Sequence, residues 1–175
     1  MPLIRPATTE DALTISRIHA AAWRSTYEDI LPKAYLDRLR DDHWTEYFAQ
    51  RIGKGSYKSY VTIVKSKAVG CVTFGPNRMN IAGARQEENW GEIYSIYVLP
   101  EFQGQGQGKA LVKHAIRQMK EAGYRGCSLW ILEANRSSRW FLHSMKFKND
   151  LKPRSFTIMD QTLINLRYSM EFQTK

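Results

Sequence analysis

The sequence is poor in the residues that would staple or anchor it. Two cysteines in 175 residues, Cys71 and Cys127, lie on separate apolar stretches without CxxC or Cys/His ligand spacing, which argues against a disulfide framework and predicts buried thiols. The four histidines show no metal-ligand spacing, so no metal is expected. No apolar run approaches the roughly 20 residues of a membrane span. At the start, MPLIRPATTED has an early proline, an arginine and then acids where a secretory leader needs an apolar segment, and a cytoplasmic location is the default expectation. Acids are scarce too: 17 Asp and Glu face 26 Lys and Arg, a formal net charge of +9. Such a field draws anions. Nucleic acid, an acidic membrane face and a phosphate-rich small molecule all qualify as partners, and a basic surface that merely keeps the chain dissolved fits as well.

What is present describes a folded domain. A chain of this length can bury about 70% of the surface it exposes when unfolded, and 43% hydrophobic with 25% charged residues is ordinary for a soluble globular protein. LIR reads as a short edge strand, and Thr8 with Asp11 as a capping box opening a helix that carries Ile15, Ile18 and Ala22. A second helix is predicted over 33–51, introduced by Pro32 and ended near GKGS. SYVTIVKS and AVGCVTFG read as a hairpin turning at KSK, and 75–91 as an exposed loop. EIYSIYVLP is apolar almost throughout, which predicts a central strand buried on both faces. Leu111, Val112, Ala115, Ile116, Met119 and Ala122 recur at helical spacing before Gly123. GCSLWIL is the next strand, NRSSRWFLHSMKF a short asparagine-capped helix, and SFTIMD and TLINLRYSMEF an antiparallel pair. This order predicts one α/β domain, of the α+β type, with a mixed sheet.

The stretch LPEFQGQGQGKALVKHA, residues 99–115, alternates Gly104, Gly106 and Gly108 between a strand and a helix. Such a turn presents unpaired backbone N–H groups at the positive end of the helix dipole, and glycine lets phosphate oxygens approach without a Cβ in the way. Gln103, Gln105 and Gln107 could add amide donors and Lys109 a charge, or they could point to solvent. Lys109 is followed by Ala110, so this is no Walker A loop, and GxGxG departs from the GxGxxG dinucleotide fingerprint. Alone, three alternate glycines describe a plain flexible turn equally well.

In its setting, IYSIYVLPEFQGQGQGKALV resembles motif A of the GNAT superfamily of acyl-CoA-dependent N-acyltransferases: a strand, a proline turn, then [RQ]xxGx[GA] opening a helix. Gln103, Gly106 and Gly108 fill that signature in order, NRSSRWFLHSMKF falls where the family has its Asn-initiated helix, and the element order matches over nearly the whole chain. The resemblance implies a single GNAT-like domain over 1–175, with a central mixed, largely antiparallel sheet of six to seven strands, splayed at the central strand and flanked by about four helices. It implies acetyl-CoA as co-substrate, its pyrophosphate on the N–H groups of residues 103–109. The pantetheine arm would pair with main-chain groups of Ile96 and Val98 and face Asn135 and Ser138, although a helix-cap role serves Asn135 equally well.

An acceptor amine is protonated at neutral pH and needs a base before it attacks a thioester. Glu92 resembles the family's strand glutamate. Alternation puts it on the face of Tyr94, Ile96 and Val98, toward the reactive end, and a carboxylate held by a neighbouring Lys or Arg is the plain alternative. A main-chain N–H of Ile96 or Tyr97 would meet the oxyanion. The tyrosine that often protonates the leaving thiolate is missing, because Leu142 follows Phe141, and His143 points about 100° away. Either Tyr97 donates instead or the thiolate leaves unassisted. Lys146 replaces a customary glycine. Trp130, Trp140 and Phe141 are expected in the core. Arg136, Arg139, Lys146, Lys148, Lys152 and Arg154 form a basic stretch for the coenzyme A 3′-phosphate or, more plainly, a solvated face.

In this family the acceptor enters between the first helices and the central strand, here around Trp23, Tyr27 and Glu28. Asp29, Asp37, Asp41, Asp42, Glu46, Glu87 and Glu88 concentrate there too, which in a basic chain implies a cationic acceptor: a polyamine, an aminoglycoside or a peptide amine. The rival is a non-catalytic coenzyme A-sensing or nucleic-acid-binding module on the same fold, favoured by the net charge and the missing tyrosine. Against it, no helix-turn-helix, RNA-binding or zinc motif is recognisable, so nucleic acid is not the expected partner. A homodimer is compatible with the sequence, as is a monomer.

Overall fold

The structure is a computed structural model that describes residues 2–55, 57–77 and 89–173. Within them the chain runs β1 (Leu3–Pro6), α1 (Ala12–Thr26), α2 (Lys33–Asp37), α3 (Thr45–Gly53), β2 (Lys58–Val64), β3 (Lys67–Pro76) and β4 (Trp90–Val98). It continues through α4 (Gln107–Glu121), β5 (Gly126–Leu132), α5 (Arg136–Ser144), β6 (Lys148–Ile158) and β7 (Gln161–Glu171). Seven strands form one mixed sheet in the order β1-β2-β3-β4-β5-β7-β6, antiparallel except where β4 meets β5. The expected α/β class and largely antiparallel sheet are therefore found, with five α-helices rather than about four. β1 is an edge strand, as its shortness suggested, and Pro153 sits in the opposite edge strand, where a missing N–H breaks no ladder. Of the loop expected over 75–91, the ends belong to β3 and β4; 78–88, with Glu87 and Glu88, lie outside the described residues.

Two helical layers sandwich the sheet because neighbouring strand residues point to opposite faces. On one face α4 buries Leu111, Val112, Ala115 and Met119, and α5 buries Leu142, against Val72, Phe74, Ile93, Val98 and Leu129. On the other, Ile15 and Ile18 of α1 and Phe48 of α3 pack on Val61 and Cys71. Cys71 and Cys127 are both buried, and burial pushes each thiol up to about 12, so neither is a reactive thiolate.

The single helix predicted over 33–51 is two, α2 and α3, and the break has a tertiary cause. Ser16 Oγ of α1 donates to the Asp41 carbonyl (2.7 Å) and accepts from the Trp44 N–H (2.9 Å), while Arg24 donates to the Leu39 carbonyl (2.7 Å). Side chains of α1 thus take the backbone groups that a continuous helix would have paired internally. At the start of α1 the Thr8 N–H donates to the Asp11 carboxylate (2.8 Å), as the capping pattern predicted. Arg5 grips the same carboxylate at 2.7 and 2.8 Å and, with burial opposing it, holds that carboxyl below the usual range.

Candidate active site

β4 and β5 pair only over Trp90–Glu92 and Gly126–Ser128 and then part. The gap is a cleft of about 580 Å³. β4 residues 93–98 line one wall and Leu129, Trp130 and Ile131 the other; Ala22, Thr26 and Tyr27 close one side, and the glycine turn and α5 close the rest. This opening corrects the expectation that β4 is buried on both faces: residues 94–97 are only half-buried because the cleft reaches them. The expected splay at the central strand is there.

At the cleft's end the glycine turn runs into α4. Gly104 and Gly106 hold φ of +70° and +83°, the left-handed region where a side chain is strained, and a Cβ at either would meet no protein atom within 4 Å. The glycines thus face open space at the N-terminus of a 15-residue helix, whose first N–H groups have no intrahelical partner. Gln103, Gly104, Gly106, Gly108 and Lys109 line the cleft. The glutamine side chains, expected as anion donors or solvated groups, also make bonds of their own, with Gln103 and Gln105 exposed and Gln107 buried. Gln103 donates to the Val98 carbonyl (3.0 Å) and Gln105 to the Glu101 carbonyl (2.9 Å), while buried Gln107 accepts from Thr62 Oγ1 (3.0 Å). These bonds brace the turn. Gln103 also occupies a carbonyl of the strand expected to pair with a pantetheine arm.

Asn135 is buried and fills the cap role: its side chain accepts from the Ser138 N–H (3.1 Å) and from Ser137 Oγ (3.1 Å) while lining the cleft. Ser138 lines it as well. Trp130, Trp140 and Phe141, expected in the core, belong to the wall instead, and Trp140 is 75% exposed. Ser137, Trp140, Phe141 and Ser144 share one helical stripe, a signal that the sequence carried and that aromatic content obscured. Leu142 is core, His143 is exposed, and the usual tyrosine is indeed absent. After α5, the Phe147 N–H bonds the Leu142 carbonyl (3.0 Å) and the Lys146 N–H the His143 carbonyl (2.9 Å), the paired bonds of a Schellman turn, with Lys146 at φ +70°. That is why glycine is customary here. Lys146→Gly is expected to raise stability by about 1 kcal/mol, read from chemical denaturation, because it removes left-handed strain at an exposed site. The basic stretch is dispersed: Arg139 is tied to Tyr168 Oη and the Glu133 carbonyl, and Arg154 lies over the Trp130 ring.

Glu92 is 2% exposed and does not line the cleft. Its face differs from the alternation. Thr73 stands opposite Ser95 but Phe74 opposite Ile93, so Tyr94 is an extra residue, a bulge, and pairing parity changes across it. Ile93, Ile96 and Val98 pack on the α4 side, whereas Glu92 shares the α1 side with Ser95 and Tyr97 rather than the face of Ile96 and Val98. Across the parallel register Glu92 faces Ser128, a buried hydroxyl without a hydrogen-bond partner.

On that α1 side the Tyr97 and Tyr27 hydroxyls meet. Burial raises both phenols, Tyr97 well above its ordinary 10.0, so each keeps its proton. Tyr27 lines the cleft; Trp23 stands edge-on to it (5.1 Å) with its indole N–H buried, and Glu28 is exposed outside. Three of the six described acids are ion-paired: Asp37 with Lys33 (2.7 Å), Asp41 with Arg24 (2.5 Å) and Asp42 with Arg40 (2.5 Å). Glu28 and Asp29 have no ion-pair partner among the described residues.

The sequence reading missed His19, for which only a helical stripe gave a hint. It is 5% exposed, ringed by Tyr97 (4.4 Å), Phe48 (4.7 Å) and Trp44 (5.5 Å), and its Nε2 has no partner. Burial lowers its pKa from 6.5 to about 3. Above pH 6.5 both folded and unfolded states are neutral; below it the unfolded chain takes a proton that the folded one refuses. Stability is therefore lost as pH falls from 6.5 toward 3. About 2 kcal/mol should go between pH 7 and 5 from this group, and a His19→Leu variant should lack that component in urea titrations at the two pH values.

Among the described residues no helix is long and apolar enough to cross a membrane, and no group of three or more His, Cys, Asp or Glu could hold a metal. The chain is 33% identical over 137 residues to YuaI of Bacillus subtilis, an uncharacterized N-acetyltransferase, covering 78% of this chain and 75% of that one. It is 23% identical over 159 residues to spermidine N(1)-acetyltransferase of Thermoplasma acidophilum, covering 90% and 95%. The fold matches the PaiA N-acetyltransferase of Thermoplasma acidophilum in complex with coenzyme A (TM-score 0.75, 20% identity, 95% and 98% covered). It also matches yncA of Salmonella typhimurium with acetyl-CoA (TM-score 0.74, 20% identity, 100% and 96% covered). The profile of the acetyltransferase (GNAT) family matches residues 18–147, well over half of the chain, and the protein belongs to that family.

Proposed function

We infer that this protein transfers an acetyl group from acetyl-CoA to a primary amine by direct attack in a ternary complex, and that the amine is cationic: a polyamine, an aminoglycoside-like compound or a peptide amine. The observation that carries this reading is the parting of β4 from β5 over a cleft that ends on an unobstructed glycine turn at the start of α4. The N–H groups of residues 103–109 hold the pyrophosphate. The arm lies along Ile96, Tyr97 and Val98, with Asn135 and Ser138 opposite, and the thioester comes to rest near the splay point. Glu92, on the side where α1 brings Tyr27 and Trp23, takes the amine proton directly or through water. A main-chain N–H of Ile96 or Tyr97 steadies the oxyanion, and the Tyr97 phenol, protonated at any physiological pH, supplies the proton for the thiolate.

A cationic acceptor is supported by Glu28 and Asp29 at the end of α1 and by the ring cluster of Trp23, Tyr27, Tyr35 and Trp44, whose faces attract cations. The spermidine acetyltransferase among the relatives points the same way. Thiol release from acetyl-CoA, with mass detection of products across an amine panel, tests it: spermidine and basic peptides should outpace neutral and anionic amines, and the reverse order overturns the acceptor assignment. Leu142 in place of a tyrosine favours a second reading, a coenzyme A sensor without turnover. Coenzyme A binding by calorimetry with no turnover of any amine would establish that one, and a gel shift on mixed DNA at physiological salt checks the nucleic-acid version.

A further inference from the structure

No aromatic side chain among the described residues is as exposed as Trp140, at 75%, and its ring is on the wall of the cleft. A lone tryptophan on open surface needs no explanation. This one belongs to the stripe of α5 that faces the cleft, with Ser137, Phe141 and Ser144 at helical spacing. Its neighbour Phe141 touches the glycine turn: a Cβ on Gly108 would lie 3.7 Å from the ring. The first turn of α4 and the Trp140 stripe therefore stand side by side, with Lys109 on the same wall. A ligand whose diphosphate sits on the turn and whose arm runs inward along β4 must leave its nucleoside outside, against this stripe. There it meets a large flat π-face that is wet when the site is free.

We propose that Trp140 is the stacking platform for the adenine of the acyl-CoA co-substrate. The proposal rests on the acyl-CoA reading above. Purines stack on indole without regard to hydrogen-bond pattern, so the platform supplies affinity for the nucleoside and leaves the acyl end untouched. The energetics assign the two halves of the ligand to two walls: main-chain N–H groups of α4 for the phosphates, the α5 ring for the base.

Calorimetry on the full chain with two probes separates the halves. Coenzyme A carries the adenosine; 4′-phosphopantetheine keeps the arm and lacks it. Trp140→Ala is expected to weaken coenzyme A by about tenfold and phosphopantetheine by less than about twofold, with Trp140→Phe recovering most of the loss. Because the ring is exposed, the alanine variant should melt close to wild type. Unchanged coenzyme A affinity in Trp140→Ala, equal losses for both probes, or a large drop in melting temperature would each overturn the platform while leaving the acyl-CoA reading standing. Failure of the wild-type chain to bind coenzyme A would overturn both.

Discussion

Gly106→Val is expected to raise the dissociation constant for coenzyme A by about 100-fold or more, since hydrogen bonds to charged phosphate oxygens are worth about 1.5–3 kcal/mol each and a displaced turn loses two of them. Two features make the loss specific to binding. The φ of +83° penalises any side chain, most of all a β-branched one, so the turn moves out of the left-handed region. A Cβ there would touch nothing in the protein, so no core contact is disturbed and the melting temperature should fall by only a few degrees for strain of about 1–2 kcal/mol. Gly126 provides the contrast. A Cβ there would lie 2.7 Å from ring carbons of Trp90, so that glycine answers to the protein's own packing, and its replacement should cost stability directly. Calorimetry on Gly106→Val and on the milder Gly106→Ala checks the first claim. Wild-type affinity in the valine variant would remove the diphosphate from this turn.

The fold was legible where local pattern and tertiary environment agree. The strands apart from β6, the long helix with its Leu111, Val112, Ala115 and Met119 stripe, and the asparagine cap of α5 could be read from spacing alone; of β6, SFTIMD gave only the last four residues, 155–158. The misreadings share one origin, a group satisfied from a distant part of the chain. Ser16 and Arg24 lie 25 and 15 residues before the carbonyls of Asp41 and Leu39 that they take, and no window over 33–51 contains them. The bulge at Tyr94 carries no glycine or proline to mark it, because the neighbouring strand sets the register. Parity counted along β4 therefore fails at that residue.

For the site, the glycine turn and Asn135 were legible because backbone conformation demands particular residues there. Side chains whose job depends on what lies across the cleft were not. The three glutamines could not be seen to brace the turn, since Gln107 meets Thr62 across 45 residues of sequence. Trp140 looked like core on composition alone, and only its place on the cleft-facing stripe of α5 separates it from Leu142 two residues on. The acids around α2 suggested an open anionic mouth, but Lys33 and Arg40 pair with near neighbours and Arg24 reaches Asp41 across 17 residues of sequence, leaving Glu28 and Asp29 to carry that argument.

Glu92→Gln is expected to lower kcat by about 100-fold at pH 7 and to leave coenzyme A affinity unchanged, the usual signature of a lost general base. The bulge sharpens this expectation. Had alternation continued, the carboxylate would point toward α4, behind the sheet from any acceptor; the parity change turns it toward α1, where Tyr27 and Tyr97 close the cleft. Glu92 is not itself part of the cleft lining, so a relay through water serves this role as well as direct contact does. A test by pH follows from that chemistry. Without its base the enzyme depends on the small fraction of amine already deprotonated, so the variant's rate should climb about tenfold per pH unit up to the amine's own pKa, near 10.4 for a lysine-like acceptor. The wild-type rate should be flat over the upper part of that range, and Glu92→Asp should fall between the two. Wild-type kcat in Glu92→Gln at pH 7, or a parallel pH profile, would leave Glu92 as a buried structural partner of β5 and take the role of base away from it.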